Sequence, residues 1–174
     1  MGKKLEIERK FVIKLPKSWS DLGKLFDHLL DVNRITQCYL EPDKDGVSPR
    51  VRKTIKGLVG DTETVYHYNK KHQTSEPSVN KEEEKEITKE EYNKSIKKCH
   101  PDKKSVEKIR FLFKYKDHIF ELDIFKNDLE GLALLEVELD DKDQKIKLPP
   151  FLQVTKEVTK DDRYSNFNLA SINK

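Results

Sequence analysis

The sequence predicts an α+β chain made mainly of antiparallel strands, closed or nearly closed into a barrel with helices packed outside. Three observations carry that expectation. Segments of period-two alternation recur at the short intervals typical of antiparallel neighbours. Only two stretches, 20–30 and 89–99, have helical spacing. Five of the strand segments carry like-charged pairs at i and i+2, positions that share one face of a strand: Glu6/Glu8, Arg50/Arg52, Lys108/Arg110, Glu121/Asp123 and Glu136/Glu138.

The elements follow in order. In segment 5–15, Leu5, Ile7, Phe11 and Ile13 lie on one face, broken only by Arg9, and Glu6, Glu8 and Lys10 lie on the other; Pro16 ends it. Leu22, Leu25, Phe26, Leu29 and Leu30 then recur at helical spacing behind Ser20 as N-cap. Strands at 35–40 and 48–55 flank the turn-rich stretch 41–46, and another strand covers 62–70. The polar stretch 72–81 contains Pro77 and reads as a loop. A polar strand, 82–87, precedes a capping box, Thr88-Lys89-Glu90-Glu91, and a short helix carrying Tyr92, Ile96 and Cys99. Strands return at 106–115, 118–125 and 132–139. A helical or irregular segment leads to Pro149-Pro150, and 154–170 supplies one short strand and a C-terminal turn. No linker or repeat divides the chain, so 1–174 reads as one domain.

Composition bounds the function. Charged residues make up 39% of the 174 residues, against a usual share of about 25%. The 35 basic and 32 acidic side chains leave a net charge of +3, which argues against a polybasic nucleic-acid arm or an acidic tail. No stretch approaches the ~18 apolar residues of a membrane helix, and the start lacks the apolar core of a signal peptide. Cys38 and Cys99 are too few and too far apart for a CxxC site. The expectation is a cytoplasmic protein without membrane or nucleic-acid partners and with reduced thiols.

One charged pair is most simply the solvated outer face of a strand. Five segregated pairs are different, because like charges side by side repel. On a closed sheet these faces meet in the lumen, and the apolar faces point outward under the helices. Desolvating so many charges is tolerable only with opposite charges, ions or water as compensation. Paired carboxylates suit a hard divalent cation that also takes substrate phosphate oxygens. Arginine offers planar bidentate contacts to phosphate, and lysine adds a mobile point charge. The pattern points to metal-assisted chemistry on a compact polyphosphate.

Glu6-Ile7-Glu8-Arg9-Lys10 resembles the ExExK signature of the CYTH superfamily, the triphosphate tunnel metalloenzymes. The likeness continues in order through Gln37-Cys38-Tyr39-Leu40, Arg50-Val51-Arg52, Lys70, Glu82-Glu83-Glu84, Glu107-Lys108-Ile109-Arg110, Glu121-Leu122-Asp123, Glu136-Val137-Glu138 and Arg163-Tyr164-Ser165-Asn166. The resemblance implies an eight-stranded β-tunnel with a charged lumen that hydrolyses a triphosphate with Mg²⁺ or Mn²⁺. By position, Glu6, Glu8, Asp123, Glu136 and Glu138 would face the metal. Lys10, Arg50, Arg52, Lys70, Lys108, Arg110, Glu82, Glu84 and Arg163 would face the substrate, with Lys10, Tyr39 and Lys70 in the catalytic part. The chain's size and motifs look most like the short bacterial members that prefer inorganic tripolyphosphate. A nucleoside or thiamine triphosphatase and a non-catalytic polyphosphate- or nucleotide-binding module are the alternatives. The sequence departs from the family at Asn80, where an arginine is usual, and Lys71 beside Lys70 leaves two candidates for one tunnel position. The His-Phe-Asp signature of the cyclase branch is missing.

Overall fold

The barrel is defined by its first strand, which touches three others. In the computed structural model, which describes residues 4–57 and 60–171, β1 (Lys4–Ile13) is followed by a 3-10 turn at Trp19–Leu22 and by α1 (Gly23–Phe26). Next come β2 (Leu29–Tyr39), β3 (Arg50–Lys56), β4 (Glu63–Gln73), β5 (Val79–Ile87) and α2 (Lys89–Ser95). The remainder is β6 (Val106–Tyr115), β7 (His118–Phe125), β8 (Ala133–Leu139), β9 (Val154–Glu157) and α3 (Asn166–Leu169). The sheet runs β5-β4-β3-β2-β6-β7-β8-β1, and β5 pairs back onto β1, so eight antiparallel strands close on themselves. β8 takes one edge of β1; the other edge is shared, with β5 against residues 4–7 and β9 against residues 11–13. Between these two partners the Glu8 amide donates to the Ser78 carbonyl, and the Lys10 amide to the Thr159 hydroxyl. The seam therefore leaves no unpaired edge at this point.

The two faces of the strands differ as the alternation predicts. Outward-facing Phe11, Phe111, Phe113, Phe120, Leu122, Leu135 and Val137 are buried. They are covered by Leu22 and Leu25 of the first helical segment and by Leu148, Phe151 and Leu152. A second outer cluster joins Cys38, Val51, Tyr66 and Tyr68 under Tyr92 of α2. The capping box at Thr88 is present: the Glu91 amide donates to the Thr88 hydroxyl at 3.1 Å, and the Thr88 amide to the Glu91 carboxylate at 2.7 Å. A third apolar cluster lies inside one end of the barrel. There Tyr39, Val106, Phe125 and Leu134 meet Val158, Leu169 and Ala170, so the C-terminal segment closes that end.

Several boundaries differ from the sequence reading. The helix expected at 20–30 ends at Phe26, and Leu29 enters β2 opposite Phe113. The ladder to β6 continues that far, and its hydrogen bonds outweigh a few residues of helical spacing. Ser18, not Ser20, stands at the start of the 3-10 turn, with its amide donating to Asp21. β4 and β5 reach further into 72–81 than expected and leave only 74–78 as the connection, because polar residues lose nothing on a lumen-facing strand. The stretch 146–152, read as helical or irregular, supplies part of the outer cover. Cys38 and Cys99, expected as reduced thiols, are joined, with Cα atoms 6.3 Å apart. Among the described residues no helix is long and apolar enough to cross a membrane.

Candidate active site

Register places the charged pairs on one continuous inner surface. Even-numbered residues of β1, β3, β5, β6 and β8 and odd-numbered residues of β2, β4 and β7 point inward. Two connected chambers of about 570 and 710 Å³ occupy the lumen and share Glu8, Arg50, Lys71 and Asn166. The first lies toward the C-terminal closure and includes Lys10, Tyr39, Asn69 and Phe167. The second opens past Glu6, Arg52, Glu82, Glu84, Arg110, Glu121, Glu136 and Glu138.

On the wall formed by β6, β7 and β8 the charges neutralise one another. Arg110 grips Asp123 through two hydrogen bonds, Nε to Oδ1 at 2.6 Å and Nη2 to Oδ2 at 2.8 Å. Its Nη1 also meets Glu121 at 2.7 Å. The Lys108 ammonium lies 2.7 Å from Asp123 and donates to the Asn166 side-chain oxygen at 3.3 Å. Burial alone would raise Asp123, but Arg110 and Lys108 hold it far below the usual carboxylate range. Burial, reinforced by Arg110, lowers Lys108 to about 8 despite Asp123. Glu136 is held down to about 2: burial opposes this, but Lys10, 3.4 Å away, and Arg110 outweigh it.

The wall of β2 and β3 is different. The Arg50 guanidinium has no hydrogen bond or ion pair among the described residues. Arg52 reaches only Glu84, at 3.5 Å, and its Nε is buried without a partner. Burial and the neighbouring Arg50 and Arg110 lower Arg52 to about 10. On β1, the Glu8 carboxylate also has no partner among the described residues. Burial and the nearby Glu136 push it up to about 8. Glu6 is raised too, by burial first, although Lys71 sits 2.7 Å from its Oε2.

The chemistry of these donors fits a hard cation. Glu6, Glu8 and Glu136 supply only oxygen, and the Glu8 carboxylate has neither a hydrogen bond nor an ion pair among the described residues, while Glu6 and Glu136 each meet a single lysine. As they stand, no three acidic, histidine or cysteine side chains among the described residues converge as a ready-made cage. That suits Mg²⁺, which takes one or two carboxylates plus substrate oxygens rather than a full protein cage.

The sequence-predicted residues fall into four groups. Glu6, Glu8, Lys10, Tyr39, Arg50, Arg52, Glu82, Glu84, Arg110 and Glu136 all line the chambers. Lys108 and Asp123 lie inside the lumen, fully buried against each other. Glu138 stands at the mouth, half-exposed and paired with Lys4 at 2.8 Å. Lys70 and Arg163 lie elsewhere. Lys70 points outward to Asp43 and Asp45 of the 41–49 loop, and Lys71 takes the lumen position. Arg163 is exposed and clasps its neighbour Asp161, while Asn166 of the same motif reaches the tunnel. The sequence reading left Lys71 as the alternative to Lys70 and gave no tunnel role to Gln37, His67, Asn69 or Asn166. With Tyr66 and Tyr68 packed under Tyr92 of α2, parity turns residues 67, 69 and 71 inward.

A closed β-tunnel whose lumen carries both an unpaired guanidinium and an unpaired carboxylate has the charge pattern that suits a polyanion together with a cation. No protein-family model matches the chain. An inorganic triphosphatase from Acetivibrio thermocellus is 32% identical over 97% of this chain and 94% of its own length. The structure of the inorganic triphosphatase NE1496 superposes with a TM-score of 0.57 at 29% identity, covering 95% of this chain and 93% of that one. HpAC1 from Hippeastrum shares the fold at 15% identity, with a TM-score of 0.59 over 78% of this chain and 80% of that one. The chain belongs to the CYTH superfamily of triphosphate tunnel metalloenzymes.

Proposed function

We propose that this protein hydrolyses inorganic tripolyphosphate to pyrophosphate and phosphate with Mg²⁺ or Mn²⁺. The observation that carries the reading is the unpaired Arg50 facing a lumen that also holds the unpaired Glu8 carboxylate. A structural charge cluster would have joined opposite charges, as Asp123 does with Arg110 and Lys108. The similarity to two inorganic triphosphatases supports it.

Arg50, Arg52 and Lys71 bind the phosphate chain, with Arg50 and Lys71 at the junction of the two chambers. Lys10, held by the Tyr164 carbonyl at 3.1 Å, presents its charge from the opposite strand. One or two of the carboxylates of Glu6, Glu8 and Glu136 would hold the cation beside substrate oxygens, with Glu138 at the mouth as an outer carboxylate. When bound, the ion withdraws charge from the phosphoryl oxygens and makes a bound water more acidic. Asp123 holds Arg110 and Lys108 in place. The proton from the attacking water passes to a lumen carboxylate, and the leaving pyrophosphate stays on the basic residues until release. Binding energy is concentrated on phosphates, because among the described residues the Phe, Tyr and Trp side chains lining the chambers are Tyr39 and Phe167, which pack edge to face on each other at 5.1 Å.

The test is a side-by-side initial-rate panel at matched free Mg²⁺, repeated with Mn²⁺. Tripolyphosphate is expected to have a higher kcat/KM than ATP or thiamine triphosphate, with pyrophosphate poor. A tenfold advantage for ATP, about 1.4 kcal/mol of transition-state preference, would overturn the substrate assignment.

A further inference from the structure

The inference concerns Gln37, a lumen residue to which none of the observations above gives a role. Its side chain is fully buried, and both its amide nitrogen and its oxygen lack a hydrogen-bond partner. A buried amide left unpaired is costly. Its neighbours do not call for it: along β2 the flanking inward residues are Ile35 and Tyr39, the latter packed in the apolar end cluster, and its β6 partner is Val106. Leucine or methionine would fill the same space without that cost.

The β3 neighbour supplies the reason. Gln37 stands directly across the ladder from Arg52, and the Arg52 Nε is itself buried and unpartnered. On the other wall Asp123 stands directly across the ladder from Arg110 and grips its guanidinium through two hydrogen bonds. Each arginine has a second cross-strand neighbour, His67 for Arg52 and Asn33 for Arg110, but the neighbour in register on the other side is an amide for Arg52 and a carboxylate for Arg110. A carboxylate fixes a guanidinium but also cancels its charge. An amide oxygen can accept the Nε hydrogen and fix the plane while leaving the full charge for phosphate.

We propose that Gln37 is a positioning residue. In the substrate complex its side-chain oxygen accepts from Arg52 Nε, so that the outer edge of the guanidinium meets the triphosphate with its charge intact. This rests on the reading of Arg52 as a phosphate ligand. Hydrogen bonds to binding residues commonly tighten only in the substrate complex.

The experiment is a double-mutant cycle of Gln37→Met and Arg52→Ala, with Gln37→Glu as a third single variant. Thermal melts confirm folding. Two readouts are taken: kcat and KM for tripolyphosphate with Mg²⁺, and calorimetric affinity for tripolyphosphate without metal. Gln37→Met should lower affinity about tenfold in the wild-type background and less than twofold beside Arg52→Ala. Gln37→Glu should raise KM further than Gln37→Met, by neutralising Arg52. Losses that simply multiply in the double variant, or wild-type affinity in Gln37→Glu, would overturn the proposal. If the wild type binds tripolyphosphate but does not hydrolyse it, the functional reading fails while the cycle still decides the role of Gln37. If Gln37→Glu does not fold, the methionine cycle decides alone. A wild type that neither binds nor turns over tripolyphosphate would overturn both.

Discussion

The two walls of the tunnel carry the same residue types and use them differently. On β6 and β7, Lys108, Arg110, Glu121 and Asp123 close on one another at 2.6–2.8 Å. On β2 and β3, Arg50 and Arg52 lie within the lumen and stay largely uncompensated, as does Glu8 on β1. The first set is a buried ion cluster, which keeps its strands in register and spends its charge internally. The second set keeps its charge available. A charged lumen is therefore not uniformly a binding site. The difference lies in whether the cross-strand neighbour of an arginine is a carboxylate or a neutral side chain.

That contrast can be broken at its closed wall first, where the largest effect is expected. Asp123→Ala leaves Lys108 and Arg110 buried without their shared partner. Removing one member of a buried pair costs about 3–5 kcal/mol, on the order of 10 °C in Tm for a chain of this size. A melt within 2 °C of wild type would show that water or Glu121 replaces the aspartate at little cost.

The next effect separates neighbours in sequence. Lys71→Ala should lower kcat/KM for tripolyphosphate by tenfold or more, since it removes a lumen cation at the junction of the chambers. Lys70→Ala should change it less than twofold, because that side chain reaches the 41–49 loop. Steady-state kinetics on the two variants decide it, and the reverse ranking would mean that β4 is out of register by one residue.

The smallest effect is on stability. Glu8 has its folded value raised to about 8 from an unfolded value near 4.5. Its contribution to stability is thus full below about pH 4.5 and is lost as pH rises through about 8. Asp123 and Glu136 are depressed, so their contribution is present above about pH 4.5 and is lost as pH falls toward their lower values. Glu8→Gln should match the metal-free wild type near pH 5 and melt several degrees higher at pH 8, with turnover largely lost. Melting curves that stay parallel across this range would place the Glu8 carboxylate in contact with water or a cation.

Much of this was legible in the sequence, because a strand's period of two is unambiguous when charge alternates with bulk. Glu6, Glu8 and Lys10 opposite Ile7 and Phe11, or Arg50 and Arg52 beside buried Val51, could be assigned to faces directly. What failed depended on register and competition. The choice between Lys70 and Lys71 turned on two tyrosines whose outward packing only α2 reveals. Leu29 and Leu30 kept helical spacing but lost to a ladder with β6 that lies some eighty residues away. Asp123 looked like the other carboxylates; only its place directly across from Arg110 shows that its charge is already committed. Arg163 belonged to a motif that reaches the tunnel, but through Asn166. Uncharged Gln37 gave no signal in a search guided by charge.

The division of the lumen into an open and a closed wall is tested most directly by Arg50→Ala, read by calorimetric binding of tripolyphosphate together with a thermal melt. Arg50 has no partner to abandon, so its removal should weaken binding at least tenfold while Tm stays within about 2 °C of wild type. Undiminished binding, or a fall in Tm comparable with that of Asp123→Ala, would contradict the account.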